Sequence, residues 1–476
     1  MNALEIHNNY KYNDYECNYM KFYGRQDELS LLTMLHEKAP SFAVITGRRR
    51  IGKTELIKEF LKGKDGIYLY VDPHKNIDIL IAEYTSYIRE VLSLPQYISF
   101  PTPEAFLEFL FGIERPFIVV FDEFQRFLDI YPAFISQLQN MWDLKGKESH
   151  LFLIASGSSV GMIQKIFIDT KAPLFRRADS IITLKPFQAS ECFSILDDLC
   201  VNNREEKLRL YLLFGGIIYY YHILEKYGCH SFEEALDRVI LSDLAPLSQE
   251  MSAMLIEEFG GGHTTYYEIL GALADGRSTQ KTIADLTHIA PSSLPPYLTE
   301  LSDILGIIEY RVPVTEERFH SKMGRYLLKD PFIRFYCRYI YRNMTLYQLG
   351  RYDLLKQKIL DEWNDFAGWQ VEEMVRELLV PRLATDYERF GSWWNRRGDE
   401  IDLLAIGSAG SLAVEIKNRE LSYEDTKIIL KNLEVKTGMV KRLTYPVTLG
   451  IAARTVEGRD IFTNKGVKVF ELNELI

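Results

Sequence analysis

Short apolar runs alternate with amphipathic segments through the first 185 residues of this 476-residue chain. Runs that are apolar on both faces are typical of buried parallel strands, and apolar residues at three- and four-residue spacing predict helices. Their alternation indicates a parallel sheet with crossover helices. The pattern predicts helices at 21–38, 53–62, 76–93, 104–112 and 131–144, and strands at 42–46, 67–71, 116–121, 150–155 and 180–184.

A phosphate-binding loop joins the first of these strands to the next helix. The segment Gly47-Arg48-Arg49-Arg50-Ile51-Gly52-Lys53-Thr54 matches G-x-x-x-x-G-K-S/T in full. Its glycines let backbone N–H groups surround phosphate oxygens, and the following helix N-terminus adds a favourable dipole. We expect the loop to bind ATP, with Lys53 on the β- and γ-phosphates and the Thr54 hydroxyl as a ligand of Mg²⁺.

An acidic pair follows the apolar strand 116–121. Downstream of a phosphate-binding loop, such a pair is typical of a Walker B motif. We expect Asp122 to hold Mg²⁺ through water and Glu123 to orient and deprotonate the attacking water.

Polar and basic residues after the last two strands are further candidates. Ser156 is placed to sense the γ-phosphate, and helix capping by Ser158 or Ser159 is an equal alternative for this segment. Arg176 and Arg177 are candidates for an arginine finger that stabilises charge on the transferred phosphoryl group, although lone arginines are ordinarily surface residues.

The pattern changes after residue 260 to short helices and a hairpin. Helices Tyr266–Ala274, Thr279–Thr287 (capped by Ser278) and Ser293–Leu305 precede strands that begin near Ile307 and Phe319. This order predicts a winged helix. Its third helix is poor in Lys and Arg, so DNA binding and protein contacts are both open.

A basic stretch follows the hairpin. Arg334, Arg338 and Arg342 recur every four residues and would share one helix face. That face either tracks the phosphates of DNA or is simply solvated.

A second hairpin near the C-terminus brings carboxylates together. Strands 399–406 and 411–417 flank a Gly-Ser-Ala-Gly turn, which places Asp402 opposite Glu415 and Glu400 opposite Lys417 on one face. Ile401 and Leu403 would fill the other face. Opposed, partly buried carboxylates repel each other and require a cation.

Such a set suits metal-assisted phosphodiester hydrolysis. Asp402 and Glu415 would hold Mg²⁺ or Mn²⁺, and Lys417 would stabilise developing charge. A predicted helix at 361–379 offers Glu372 or Glu373 as a further ligand. The alternative is a surface hairpin with an ion pair between Glu400 and Lys417.

Composition limits the class of protein. A hydrophobic content of 47% and a charged content of 26% are ordinary for globular proteins, and the net charge of −10 excludes a uniformly basic nucleic-acid binder. The five cysteines form no C-x-x-C pair, which favours a reducing cytoplasm. No apolar run is long enough for a membrane span and no signal peptide is evident. Residues 1–20 are predicted to be a disordered tail.

The motifs resemble those of the archaeal-type ATPase family, P-loop ATPases of AAA+/STAND character. The matching segments are F-x-G-R-x-x-E-L at 22–29, T-G-R-R-R-x-G-K-T at 46–54, F-D-E-F-Q at 121–125 and S-G-S-x-x-G-M at 156–162. The later segments Gly324–Tyr326 and Asp330–Phe335 resemble the domain of unknown function that commonly follows. The resemblance implies a PD-(D/E)XK nuclease-like end, with Glu372, Asp402, Glu415 and Lys417 as its motif residues.

The sequence thus predicts an α/β P-loop NTPase sheet with a helical lid, a winged helix and a C-terminal α/β nuclease-like domain. The predicted boundaries are 21–185, 186–260, 261–345 and 346–476. The expected function is ATP hydrolysis coupled to action on double-stranded DNA, with a nucleotide-dependent homo-oligomer. The alternative is an ATP-dependent regulator or scaffold with an inactive nuclease-like domain.

Overall fold

The structure is a computed structural model that describes residues 21–250, 254, 264–318 and 321–475. The predicted tail 1–20, part of the predicted lid and the predicted strand start at Phe319 lie outside the described residues.

A five-stranded parallel sheet forms the first part of the chain, as predicted. Its strands are β1 (Ser41–Thr46), β2 (Gly66–Tyr70), β3 (Phe117–Asp122), β4 (Leu151–Gly157) and β5 (Ser180–Thr183). Their order is β2-β3-β4-β1-β5, and every neighbouring pair is parallel. The carboxyl ends of all strands therefore lie at one edge, where ligands of open α/β sheets bind.

Crossover helices cover both faces of this sheet. Asn76 and Thr102 accept hydrogen bonds from backbone N–H groups at the starts of the third and fourth helices, which fixes where those helices begin. The helices are α1 (Gln26–Glu37), α2 (Lys53–Leu61), α3 (Ile77–Val91), α4 (Pro103–Phe111), α5 (Phe127–Ile130), α6 (Ala133–Lys145) and α7 (Val160–Ile163).

The described residues in the middle of the chain form helices and one hairpin. The predicted cap Ser278 is wrong by one residue, because the Thr279 side chain accepts from the Thr282 N–H while the Ser278 carbonyl accepts from Tyr326 at 2.6 Å. The elements are α8 (Ala189–Asp198), α9 (Arg204–Phe214), α10 (Ile218–Lys226), α11 (Phe232–Ala235), α12 (Thr264–Ala274), α13 (Gln280–Thr287), α14 (Leu294–Thr299) and the antiparallel strands β6 (Ile308–Arg311) and β7 (Arg325–Leu328).

The last part of the chain holds a mixed five-stranded sheet of order β12-β11-β10-β9-β8. Neighbours β8–β9 and β9–β10 are antiparallel, and β10–β11 and β11–β12 are parallel. The elements are α15 (Pro331–Phe335), α16 (Met344–Gln348), α17 (Tyr352–Leu383), β8 (Arg389–Trp394), β9 (Glu400–Ile406), β10 (Ser411–Lys417), α18 (Tyr423–Thr437), β11 (Val447–Ala453), α19 (Arg459–Asn464), β12 (Lys468–Glu471) and α20 (Leu472–Leu475).

One hydrophobic core runs through both halves of the molecule. It includes Ile45 of β1, Phe214 of α9, Phe366 of α17 and Val414 of β10. The long helix α17 thus packs between the helices that follow the first sheet and the second sheet, and it joins the two sheets into one packed unit.

Candidate functional site

The phosphate-binding loop adopts a left-handed backbone at both of its glycines. Gly47 has φ 145° and Gly52 has φ 96°, and a Cβ on Gly47 would lie 2.8 Å from the Leu184 carbonyl oxygen. Only glycine adopts this path without strain or a clash. The buried Lys53 ammonium donates to the carbonyl oxygens of Gly47 (2.8 Å) and Arg48 (2.9 Å), so it is held inside the loop.

Asp122, the last residue of β3, contacts the end of the loop. The buried Asp122 carboxylate accepts from the Thr54 hydroxyl at 3.2 Å, from the Tyr68 hydroxyl and from the Glu123 N–H at 3.0 Å. A threonine hydroxyl beside a carboxylate is the oxygen set that Mg²⁺ prefers. The residues present therefore fit the Mg²⁺ that the ATPase family implies.

Glu123 is held in place by neighbours on two segments. Its carboxylate accepts from the Ser158 hydroxyl at 2.9 Å and from the Gln125 side-chain amide. Its backbone has φ 55°, a left-handed conformation that costs a non-glycine residue roughly 1–2 kcal/mol. These contacts fix the carboxylate at the edge of the sheet beside Asp122.

Ser156 lies within β4 and Ser158 follows that strand, and their two hydroxyls differ in their contacts. Ser156 is fully buried and its hydroxyl has no hydrogen-bond partner in the described residues, whereas Ser158 reaches Glu123. The alternative of helix capping by Ser159 is not observed, because α7 begins without a side-chain cap. Gln125 was within a quoted motif, but nothing in the motif indicated its bond to Glu123.

Replacing Ser158 with Ala is expected to lower kcat for ATP hydrolysis about tenfold and to leave KM unchanged, because one charge-assisted hydrogen bond to Glu123 is lost. Steady-state kinetics test this, with Ser159→Ala as the matched control. Ser158 acts here as a positioning residue. An equal loss in the Ser159 variant would contradict that role.

The side chains of two loop arginines contact residues elsewhere in the chain. Arg48 forms an ion pair at 2.9 Å with Asp330, the buried residue that caps α15. Arg50 pairs with buried Glu250 and stacks over the Tyr219 ring at 4.3 Å. The nucleotide-binding loop is therefore directly linked to the segment that leads into α17.

The two predicted finger arginines differ in their surroundings. Arg177 makes a two-pronged contact with Asp143 of α6 at 2.8 and 3.1 Å, and this partner raises its pKa. Arg177 is thus engaged within the chain. Arg176 is exposed, and its guanidinium lies 5.2 Å from the centre of the Phe175 ring. Among the described residues, neither arginine forms a hydrogen bond or an ion pair with the phosphate-binding loop.

The predicted acidic hairpin exists and its observed pairs have the predicted register, but the ladder ends before it reaches Asp402 and Glu415. The pairs run from Ile406–Ser411 to Leu403–Val414 and end there, so Asp402 and Glu415 are not ladder partners. Asp402 instead accepts from the Ile416 N–H at 2.7 Å.

The predicted faces of the first hairpin strand are also wrong. β9 carries one extra residue between the pairs Gly391–Leu404 and Trp393–Ile401. Because of this bulge, Ile401 packs with Leu404, whereas Leu403 packs in the core against α17. Both faces of β9 and β10 are consequently buried, rather than one.

Two lysines donate hydrogen bonds to the carboxylate oxygens of Glu415. Glu415 accepts from Lys417 at 2.9 Å and from Lys436 at 3.0 and 3.1 Å. Lys417 also lies 3.7 Å from an Asp402 oxygen, and Glu400 pairs with Arg325 rather than with Lys417. Within the described ranges, no three His, Cys, Asp or Glu side chains form a group that could hold a metal ion. The predicted set Glu372, Asp402 and Glu415 is therefore not assembled as three ligands.

The acidic side chains raise one another's proton affinity. Burial, and then the charge of Asp402, raises the pKa of Glu372 on α17 to about 8. Burial, and then Glu415, raises the pKa of Asp402 to about 6. Burial opposes but does not cancel the effect of Asp402 and Glu415, which raise the pKa of Lys417. The carboxyl groups between α17 and the hairpin therefore hold protons more tightly than exposed carboxyl groups do.

Each arginine of the predicted basic face has a partner inside the chain. Arg334 donates to Gln370 at 2.7 Å, Arg338 pairs with Glu362 at 3.2 Å, and Arg342 pairs with Asp275. The backbone leaves regular α-helical geometry after Phe335, so the four-residue spacing does not produce one face.

Comparisons with known proteins identify one family that matches the first part of the chain and a second family that matches the last part. A family described as an ATPase domain predominantly from Archaea matches residues 22–222, and a family described as archaeal and bacterial proteins of unknown function matches residues 336–429. An uncharacterized protein of Methanocaldococcus jannaschii is 30% identical over 464 residues, which cover 95% of this chain and 99% of that protein.

Solved structures with a similar fold include two archaeal proteins. A Walker-type ATPase of Pyrococcus abyssi has a TM-score of 0.51 at 20% identity, over 66% of this chain and 96% of that one. The ORC2 protein of Aeropyrum pernix has a TM-score of 0.44 at 18% identity, over 72% and 97%. The first likeness shows the P-loop ATPase fold.

No helix among the described residues has both the length and the apolar character needed to cross a bilayer.

The relative from Methanocaldococcus jannaschii spans nearly the whole chain. The two family matches cover residues 22–222 and 336–429, and both segments contribute to the hydrophobic core that includes α17. The chain belongs to the archaeal-type ATPase family, in which a P-loop ATPase domain is joined to a C-terminal domain of unknown function.

Proposed function

We propose that the protein hydrolyses MgATP at the edge of its first sheet and uses this cycle to control its C-terminal sheet on DNA. The observation that carries the ATPase proposal is the pair of contacts after β3: Asp122 to Thr54, and Glu123 to Ser158. They place a hydroxyl–carboxylate pair and a fixed carboxylate beside the loop that holds Lys53.

The residues have separate tasks in this reaction. Lys53 and the loop N–H groups bind the phosphates, and Glu123 accepts the proton of the attacking water. Mg²⁺, held by Thr54 and Asp122, supplies charge neutralisation on the phosphates. Arg176 is exposed and is the better candidate for a finger supplied to a neighbouring copy, which would need a nucleotide-dependent homo-oligomer. Light scattering with and without a non-hydrolysable ATP analogue tests that assembly.

Coupling to the C-terminal half is proposed to pass through Arg48 and Asp330. Asp330→Asn keeps an acceptor that can cap α15 but removes the charge that Arg48 meets. We expect the free energy of unfolding to fall by about 1–3 kcal/mol and nucleotide-induced changes in the C-terminal half to weaken. Hydrogen exchange of α17 with and without ATP measures this. Glu55→Gln, which removes an exposed carboxylate on α2, is the control.

The rest of the chain is proposed to act on DNA. Helices α12–α14 with β6–β7 have the order of a winged helix, and α17, β8–β10, α18 and β11 have an order that suits a PD-(D/E)XK nuclease-like domain. These proposals keep the boundaries 186–260, 261–345 and 346–476. Glu372 and Asp402 are hard oxygen donors of the kind that bind Mg²⁺ or Mn²⁺ together with substrate phosphates. Such a metal would supply water activation, while Glu415 holds Lys417 to stabilise developing charge.

A second candidate function is a regulator or scaffold with an inactive C-terminal domain. The contact of Lys436 with Glu415 favours it, because a second lysine neutralises a carboxylate that the nuclease proposal uses. Incubating plasmid and linear DNA with the protein, ATP and Mg²⁺ or Mn²⁺ separates the two functions. Cleavage that depends on the metal supports the first, and its absence under all combinations supports the second.

A further inference from the structure

A cavity of about 440 Å³ lies between the β6–β7 hairpin and the acidic cluster of the C-terminal sheet. Glu372, Asp402 and Glu415 line one side of it, and Arg325 and Tyr326 of β7 line the other. The carboxylates that the proposed function uses therefore open into a space roofed by the hairpin, rather than onto an open surface.

Contacts fasten this roof at two points. Arg325 bonds Glu400 at 3.0 Å and lies 4.5 Å from the centre of the Trp394 ring, whose indole N–H donates to the Met323 carbonyl at 2.9 Å. At the other point, Arg311 makes a two-pronged contact with Glu373 of α17 at 2.7 and 3.1 Å. The roof thus has a charged and an aromatic attachment to the walls of the cavity.

Arg334 in the cavity wall has no carboxylate partner among the residues that the structure describes. Its guanidinium donates to the Gln370 carbonyl oxygen at 2.7 Å and lies 5.0 Å from the centre of the Trp369 ring, and both Arg334 and Trp369 line the cavity. Near it, Arg376 has a buried Nε without a hydrogen-bond partner. The charges of Glu372 and Glu373 act on Arg334, but neither forms an ion pair with it, so its guanidinium fork can still receive a phosphate.

The volume of the cavity and the residues that line it indicate which phosphate-containing ligand it can bind. A space of this volume accepts a ligand of the size of one nucleotide, and it is too small for a double helix. Trp369 lines it, is partly exposed and offers a surface on which a base can stack. We propose that the cavity binds one nucleotide of single-stranded DNA, with a phosphate on Arg334 and a base beside Trp369, while duplex DNA is kept out by the roof.

This inference rests on the proposed function of the acidic cluster, because it names the substrate class of that site. The single strand would come from a DNA end, an unwound segment or a nucleotide extruded from a duplex. The double-stranded partner predicted from the sequence would then be bound elsewhere on the chain, and only its single-stranded part would enter this cavity.

The test measures binding by fluorescence anisotropy in EDTA, so that no metal-dependent reaction contributes. The probes are a labelled single strand of about ten nucleotides and its duplex, and dAMP is added as a competitor to identify a site for free nucleotides. The full-length protein is compared with Arg334→Gln, Arg325→Ala and Arg338→Ala. Arg338 is the matched control, since it follows Arg334 closely, pairs with Glu362 and does not line the cavity.

We expect wild type to bind the single strand at least about tenfold more tightly than the duplex, and Arg334→Gln to lose about tenfold in single-strand affinity. Arg325→Ala, which removes a side chain from the roof without touching the buried wall, should raise duplex affinity. Arg338→Ala should bind as wild type does. Equal affinity for both probes, an equal loss in the Arg334 and Arg338 variants, or displacement of the strand by dAMP at comparable concentration would each overturn the proposal.

A second arm separates this proposal from the nuclease function. The same probes are incubated with Mn²⁺ and followed on a denaturing gel. If single-strand binding depends on Arg334 and no cleavage occurs, the nuclease proposal is rejected and the single-strand binding site is retained. Cleavage of duplex and single strand at equal rates keeps the nuclease activity and rejects the single-strand cavity.

Discussion

Glu123→Gln is expected to leave ATP binding intact and to lower hydrolysis by about 10²–10⁴-fold, the usual contribution of a general base. The amide keeps the size of the side chain and an oxygen that can accept from Ser158, but it cannot take a proton from water. The hydroxyl–carboxylate pair of Thr54 and Asp122 is unchanged, so the Mg²⁺-dependent part of binding should persist. Phosphate release measures turnover, and a fluorescent ATP analogue measures affinity.

Lys53→Ala is the companion variant, and its expected result is the opposite. Removing the ammonium that the loop carbonyls hold takes away the main cation for the β- and γ-phosphates, so binding itself should be lost. Glu123 would not be the base if Glu123→Gln turned over ATP at the wild-type rate while Lys53→Ala was inactive.

Asp402→Asn should abolish metal-dependent DNA cleavage and the effect of Mn²⁺ on thermal stability, with ATPase activity unchanged. Asn keeps an acceptor for the Ile416 N–H, so the hairpin should fold, but it removes a charge from the carboxylate cluster. Since that charge raises the pKa of Glu372, its loss should also relieve repulsion and raise Tm without metal. Thermal unfolding is recorded with and without Mn²⁺ in the absence of ATP.

Glu420→Gln is the matched control for this measurement, because Glu420 is an exposed carboxylate that follows the same hairpin. Its Mn²⁺-dependent shift should equal that of wild type. If Mn²⁺ shifts the Asp402 variant as much as it shifts wild type, the cluster is not a metal site and the nuclease proposal fails, whereas the ATPase proposal is unaffected.

Local patterns predicted the first sheet because each of its elements is specified by its own residues. The apolar run at 116–121 is the buried strand Phe117–Asp122, and the loop motif lies directly between β1 and α2. The Walker B contacts could likewise be placed in outline, because the strands that carry them end at a common edge. The contact of Ser158 with Glu123 could not be predicted, because Ser156 lies within β4 and Ser158 lies just beyond it, and the path of the chain as it leaves the strand decides which hydroxyl reaches Glu123.

Long-range contacts and irregular backbone could not be predicted in this way. The ion pair between Arg48 and Asp330 joins residues far apart in sequence, and no local pattern marks either as a partner of the other. The bulge in β9 depends on how that strand packs between two helical layers, so a strict two-residue period gave the wrong face for Ile401. The prediction that Arg334, Arg338 and Arg342 share one helix face failed because the backbone after Phe335 is not a regular α-helix.

The core that runs from β1 through α17 to β10 determines how this protein can be divided experimentally. A truncation that ends with the matched ATPase segment at residue 222 would strip α9 and α10 of packing partners such as Phe332. The apolar side chains left bare would favour aggregation rather than an active fragment. Gene fusions, deletions and swaps of either end would meet the same obstacle, so the two ends are expected to be inherited and to evolve as a single piece.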